Sequence, residues 1–191
     1  MYKFYAFLNR MKYIKRWSLM RSVREENIME HSQQVAVIAH ALAMIKNKNF
    51  GGEVDVGKVV LLAQYHEVGE VITGDLPTPI KYFNPEIKSA YKDLEKNACE
   101  RLLNMLPDNL KEDYKQYIIA DENSEEYKIV KSADRLSAYL KCVEEIKAGN
   151  SEFKKAKSSI LSELKALNRP EVDCYLKDFV PAYELSLDEL D

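Results

Sequence analysis

Apolar side chains recur at intervals of three and four residues along most of this chain, and no stretch alternates convincingly at period two. Phe4, Phe7, Leu8, Met11 and Ile14 form one stripe and predict an amphipathic first helix. A polar segment, RSVREENIMEHS, leads into QQVAVIAHALAMIKN, where Val35, Ile38, Leu42 and Ile45 mark a second buried stripe that Asn47 to Gly52 ends. Asp55 is placed to cap a third helix through VGKVVLLAQYHEVGEVIT, with Val60, Leu61 and Tyr65 on its expected buried side. Pro77 and Pro79 predict an irregular loop over GDLPTPIKYFNPE. Helical patterns return at 86–106, 108–119, 125–148 and 152–168, and Arg169-Pro170 precedes a shorter helix near 171–180. The tail LSLDELD is expected to be docked or frayed. With no repeat, low-complexity tract or linker, the pattern predicts an all-α protein with a single domain over residues 1–191.

Composition narrows the partners. Apolar residues make up 46% and charged residues 31% of 191, an ordinary globular balance able to bury one sizeable core. A net charge of −3 supplies no general basic field, so neither a nucleic-acid polymer nor an anionic membrane is an expected partner. Any phosphate must be held locally. No apolar run approaches the ~20 residues that span a bilayer. The N-terminal MYKFYAFLNRMKYIKRW lacks an apolar core and a small-residue cleavage site, so it is expected to be a helix of the mature fold. Cys99, Cys142 and Cys174 are irregularly spaced without a C-x-x-C, which predicts reduced thiols in a cytoplasmic protein.

The chain has only 3 histidines, so each can be weighed. His31 shares the stripe of Val35 and Ile38, and His66 ends the apolar run VVLLAQYH, so both should point inward. A lone inward His is more often a hydrogen-bonded core residue than a ligand. Two of them, each beside a carboxylate (Glu30-His31 and His66-Glu67), favour a metal. His40 lies off that stripe and is expected to be structural. Glu70 stands one helical turn beyond His66, on its face. Glu67 is rotated by about 100° from His66, yet both can converge on an ion above the seam between them. Asp134, in KIVKSADRLSAYLK, has Val130, Ala133, Ser137 and Ala138 around it. A carboxylate so placed needs a partner, and alone it points to an ion pair or hydrogen bond before a metal. The zinc-protease pattern H-E-x-x-H fits poorly, because Glu70 stands where its second His would be.

A lone His, a His-acid doublet and a distant Asp inside a helix resemble the HD-domain phosphohydrolases. The stretches RWSLMRSVREENIMEHSQQVAVIAHALA, TGDLPTPIKYFN, SADRLSAYLKCVEEI and FVPAYELSLDE occur in order over essentially the full length. They are similar to the bacterial 5′-deoxynucleotidases of the YfbR type. The resemblance implies a helical HD-domain bundle that hydrolyses deoxyribonucleoside 5′-monophosphates to nucleoside and phosphate, and acts as a homodimer. It implies one divalent ion per chain, held by His31, His66, Glu67 and Asp134, with Glu70 in proton transfer. Arg16 would orient the phosphate beside Trp17, and Asp75, Leu76, Pro77 and Thr78 would form the nucleoside pocket, with Glu67 and Asp134 also bordering the substrate. The pattern departs at Glu67, where the family has Asp. The added methylene and rotatable bond lead to an expectation of weakened metal binding that Glu67→Asp would restore.

The residues support this chemistry on their own. Two imidazoles and two carboxylates suit Mn²⁺, Co²⁺ or Zn²⁺, and a phosphate monoester needs a Lewis acid at its phosphoryl oxygens. Arg16 offers a planar, permanently charged fork for phosphate. Trp17, the only Trp, offers an apolar face to a base or sugar, or packs under the first helix. The loop GDLPT sets an acid and a hydroxyl on a Pro-stiffened backbone. Two alternatives stay open. An HD-type hydrolase of triphosphates or signalling nucleotides would call for more nearby cations than Arg16, Arg21 and Arg24. A nucleotide-binding module would follow if Glu67 has cost the site its metal.

Overall fold

Phe4 and Met11 bury the N-terminal segment, though not as one continuous helix. In the computed structural model, which describes residues 1–191, α1 (Phe4–Leu8) gives way to a 3-10 helix at Asn9–Tyr13. The chain then pairs with itself at an isolated antiparallel bridge between Lys15 and Asn27, and no strands form. Asn27 accepts hydrogen bonds from the N–H groups of Met29 and Glu30 and so starts α2 (Ile28–Asn49). Asp55 accepts from Lys58 N and caps α3 (Val56–Tyr65). Next come the one-turn helices α4 (Glu70–Thr73) and α5 (Thr78–Lys81), then α6 (Pro85–Leu103) and α7 (Asp108–Ile118). Ser124 accepts from Tyr127 N to start α8 (Glu125–Lys147). A 3-10 turn at Ser151–Phe153 leads into α9 (Lys154–Ala166) and α10 (Pro170–Asp178). The tail forms 3-10 turns at Val180–Glu184 and Leu187–Glu189, and Lys147 Nζ donates to the Leu185 carbonyl.

Two apolar clusters organise these helices. The larger is built chiefly from α2, α3, α8, α9 and α10, with Leu42, Leu136, Leu140, Phe153 and Leu164 almost fully buried. Burying each such side chain contributes roughly 1.5–3 kcal/mol. The smaller gathers Phe4, Met11, Ile28, Val68, Leu102, Leu103, Leu106 and Ile118. The boundary between them crosses two places in the chain. His31 lies between Ile28 of the small cluster and Val35 of the large one, and His66 lies between Ala63 of the large cluster and Val68 of the small one.

Three further expectations require correction. The third helix does not run through residue 73: it ends at Tyr65, and residues 66–69 form turns before α4. Its buried side is Val59, Leu62 and Ala63, whereas Leu61 is exposed and Val60 and Tyr65 are half-buried. A nearly continuous apolar run leaves the phase of a helix undetermined, and packing against α2 and α8 selects it. GDLPTPIKYFNPE is not wholly irregular, because α5 places Pro79 in its first turn, where the missing N–H costs nothing.

Candidate metal and phosphate site

The helices that pack together most extensively also carry the acids and imidazoles. His31 sits in the first turn of α2 and is 0% exposed, His66 and Glu67 follow α3, and Asp134 lies on α8. One ligand atom from each of these four residues lies within 4.8 Å of all the others. His31 Nε2 is 3.1 Å from Asp134 Oδ1, and His66 Nε2 is 3.4 Å from Glu67 Oε1. His66 Nδ1 donates to the Ala63 carbonyl at 2.7 Å, which assigns the lone pair to Nε2. That Nε2 is buried and has no hydrogen-bond partner. An orphaned imidazole nitrogen facing two carboxylates and a second imidazole fits a divalent cation.

His31 is held in the same way. Its Nδ1 lies 3.2 Å from Ser137 Oγ and 3.4 Å from Glu26 Oε1, while Ser137 Oγ donates to Gln34 Oε1 at 2.6 Å. Both rings are thus fixed through Nδ1 and present Nε2 to the cluster, the arrangement by which outer partners orient metal-ligating histidines. Burial pushes the His66 imidazole below its ordinary pKa and keeps it neutral. Burial opposes ionisation of Asp134 too, yet Lys131, with Nζ 3.1 Å from Oδ2, and the His31 hydrogen bond hold this carboxyl well below the usual range.

The backbone tightens beneath Glu67 as its carboxylate meets the cluster. The N–H groups of Val68, Glu70 and Val71 bond to carbonyls three residues earlier, at 3.2, 3.0 and 3.3 Å. Gly69 lets this turn approach α6: a Cβ there would stand 3.2 Å from Cys99 Sγ. Glu70 opens α4 and is buried at 7% exposure. The two carboxyls divide one proton between them. Burial, the Glu67 charge and a hydrogen bond from Glu70 to Glu67 push Glu70 up to about 11. Burial would raise Glu67 as well, but His66 and that hydrogen bond bring it down to about 2. Glu70 therefore carries the proton and Glu67 the charge.

Arg16 joins the same electrostatic field. Burial favours its neutral form, but Glu26, Asp134, Glu67 and Asp75 keep its guanidinium charged. Trp17 is half-buried with a left-handed backbone, φ +58°, and its indole packs on Phe153 at 5.3 Å between ring centroids. It rests against the large core and not under α1. Gly74, φ +74°, turns the chain after α4 and brings Asp75 near: burial and Glu67 raise the Asp75 pKa while Arg16 opposes them. Leu76 and Pro77 are half-buried and Thr78 is exposed, and no hydrogen bond joins them to the four-residue cluster. His40 is exposed on the outer side of α2. Sequence reading passed over Glu26, Lys131 and Ser137. Lys131 had a local signal, one helical turn before Asp134; Glu26 and Ser137 meet His31 only through tertiary structure.

Residues 3–183 match the family described as 5′-deoxynucleotidase YfbR-like. The chain belongs to that family. A 5′-deoxynucleotidase of Vibrio vulnificus strain YJ016 is 54% identical over 188 residues, covering 98% of this chain and 97% of that one. An HD-domain phosphohydrolase from Listeria innocua superposes with a TM-score of 0.82 at 22% identity, over 95% of this chain and 88% of that one. A cyanophage S-2L HD phosphohydrolase, bound to dA and one catalytic Zn²⁺ ion, superposes with a TM-score of 0.64 at 20% identity, over 94% and 95% of the two chains. These likenesses bear out the helical HD-domain fold expected from the sequence.

Proposed function

We infer that this protein hydrolyses deoxyribonucleoside 5′-monophosphates to the deoxyribonucleoside and phosphate, with one divalent ion held by His31, His66, Glu67 and Asp134. The observation that carries this reading is the convergence of those donors around the unpartnered Nε2 of His66, in a chain of the 5′-deoxynucleotidase family. When bound, the ion supplies Lewis-acid polarisation of the phosphoryl group and acidification of a water. Co²⁺, Mn²⁺ and Zn²⁺ all suit two nitrogen and two oxygen donors.

The chain's own groups do the rest. Arg16 meets the phosphoryl oxygens with a permanent charge and a planar fork. Glu70, protonated at neutral pH, gives its proton to the nucleoside 5′ oxygen as the P–O bond breaks, and recovers one from the water whose oxygen joins phosphorus. Asp75, with Leu76, Pro77 and Thr78, takes the sugar and base, and Trp17 flanks them. A homodimer in the cytoplasm is the corresponding assembly and location. The exposed Ile80, Tyr82 and Phe83 beside this loop offer apolar surface for a second copy.

The test is phosphate release from a panel of deoxy- and ribonucleoside 5′-monophosphates and the matching triphosphates. Protein stripped with EDTA is reloaded separately with Co²⁺, Mn²⁺ and Zn²⁺. Metal-dependent release from the deoxy monophosphates is expected, with ribonucleotides and triphosphates poorer. No release from any deoxy monophosphate under any metal overturns the reading.

A further inference from the structure

One carboxylate behind the site touches three of its parts. Glu26 Oε2 accepts from Trp17 Nε1 at 3.1 Å and lies 3.7 Å from Arg16 Nε, while Oε1 stands 3.4 Å from His31 Nδ1. Its side chain is only 13% exposed, and Arg16 Nε is buried with no hydrogen-bond partner of its own. Arg16 N donates to the Glu26 carbonyl at 2.9 Å and Ile28 N to the Ile14 carbonyl at 3.0 Å, so the two segments are paired through the backbone as well. The intervening loop is clamped from α8 and the turn after it: Val23 N and Arg24 N donate to Glu145, Lys141 donates to the Arg24 carbonyl, and Asn150 Nδ2 donates to the Arg21 carbonyl. The left-handed backbone at Trp17 is an uncommon conformation for a bulky residue, and it aims the indole N–H at this same carboxylate.

We propose that Glu26 is a positioning residue that couples metal retention to phosphate binding by holding His31, Arg16 and Trp17 with one side chain. The phosphate arm rests on the function inferred above; the metal arm rests on the cluster alone. A carboxylate is required because it has two acceptor oxygens. One oxygen serves Trp17 and Arg16, and the other serves His31. An amide of the same size has only one acceptor, so its NH₂ must face either the indole N–H or the His31 Nδ1–H. Glu26→Gln therefore breaks one arm however it rotates, and it also removes the charge opposite Arg16.

The experiment compares wild type, Glu26→Gln, Glu26→Asp and Glu25→Gln, the last altering an exposed neighbour that pairs with Lys15. Co²⁺ affinity is measured by titration of the metal-free protein. The emission of Trp17, the only Trp, reports the other arm. Glu26→Gln should lose one arm: either Co²⁺ binding weakens about 10- to 100-fold, as loss of an outer partner of a ligating His typically does, or the Trp17 emission shifts. Glu26→Asp, which keeps both acceptors, should recover part of that loss, and Glu25→Gln should match wild type. With Co²⁺ saturating, the metal arm is restored, and kcat/KM for deoxynucleotide should stay depressed through Arg16. Wild-type Co²⁺ affinity and emission in folded Glu26→Gln overturn the proposal; if that variant does not fold, wild-type values in Glu26→Asp, with both oxygens drawn back, do the same. Should wild type hydrolyse no deoxynucleotide, the inferred function fails, while Co²⁺ affinity and emission still judge Glu26.

Discussion

At His66 the two ring nitrogens have different fates: Nδ1 is taken by the Ala63 carbonyl and Nε2 is left without a protein partner. His31, His66 and Asp134 each present one atom to a common point, so Ala at any of them should remove both bound metal and phosphatase activity with the helical circular dichroism retained. His40→Ala, on the outer side of α2, should change neither; metal analysis of the four purified variants checks this. Glu70 holds a proton and is not among the four converging donors. Glu70→Ala should accordingly keep its metal and lose about 10²- to 10⁴-fold in kcat, and wild-type turnover there would remove it from proton transfer. At Glu67 the geometry reverses the direction expected from the sequence. Its carboxylate already meets the cluster from a tightened turn, and Asp would draw it back by one C–C bond, about 1.5 Å. Glu67→Asp should therefore weaken Co²⁺ binding, and tighter binding would show that Glu is the poorer ligand after all.

At the scale of elements, the site depends on where helices begin and end. Asn27 caps α2 four residues before His31, through hydrogen bonds of 3.0 Å to both Met29 N and Glu30 N. Replacing such a cap with Ala costs about 1 kcal/mol, and here the fraying would fall on the turn that carries His31. Asn27→Ala is expected to lower the urea midpoint by a corresponding amount and to weaken Co²⁺ binding as well. A loss of stability at unchanged metal affinity would show that the first turn of α2 is held from elsewhere. The end of α3 is equally consequential. Through the turns at 66–69, His66 and Glu67 both stay within reach of His31 and Asp134.

For the whole molecule, the clamp from α8 ties the Arg16–Glu26 segment to the large core. Burial opposes ionisation of Glu145, but Lys141, the N–H groups of Val23 and Arg24, and Asn150 bring it down to about 2. Because its pKa is depressed by folding, the stabilisation is complete above the ordinary carboxylate range and is lost as pH falls from about 4.5 towards 2. Glu145→Gln should thus be destabilised at pH 7, and the gap from wild type should narrow as pH falls below about 4.5. Urea unfolding of the two proteins at pH 7, 4.5 and 3.5 measures it. A gap independent of pH would mean that Glu145 acts without its charge.

The periodicity of apolar residues was enough to reveal a helical protein, most of its helix boundaries and the inward direction of His31 and His66. These depend on 3.6-residue repeats, caps and prolines, which are local properties. Local order could not reveal which side of α3 is buried, since an unbroken apolar run has no preferred phase; α2 and α8 choose Val59, Leu62 and Ala63. Nor could it show that Glu26, 108 residues before Asp134, shares His31 with it, the one at Nδ1 and the other at Nε2. The four converging donors were legible as residue types and through family resemblance. Its convergence within 4.8 Å was decided by packing, because charge and hydrogen-bond chemistry act over a few ångströms whatever the separation along the chain.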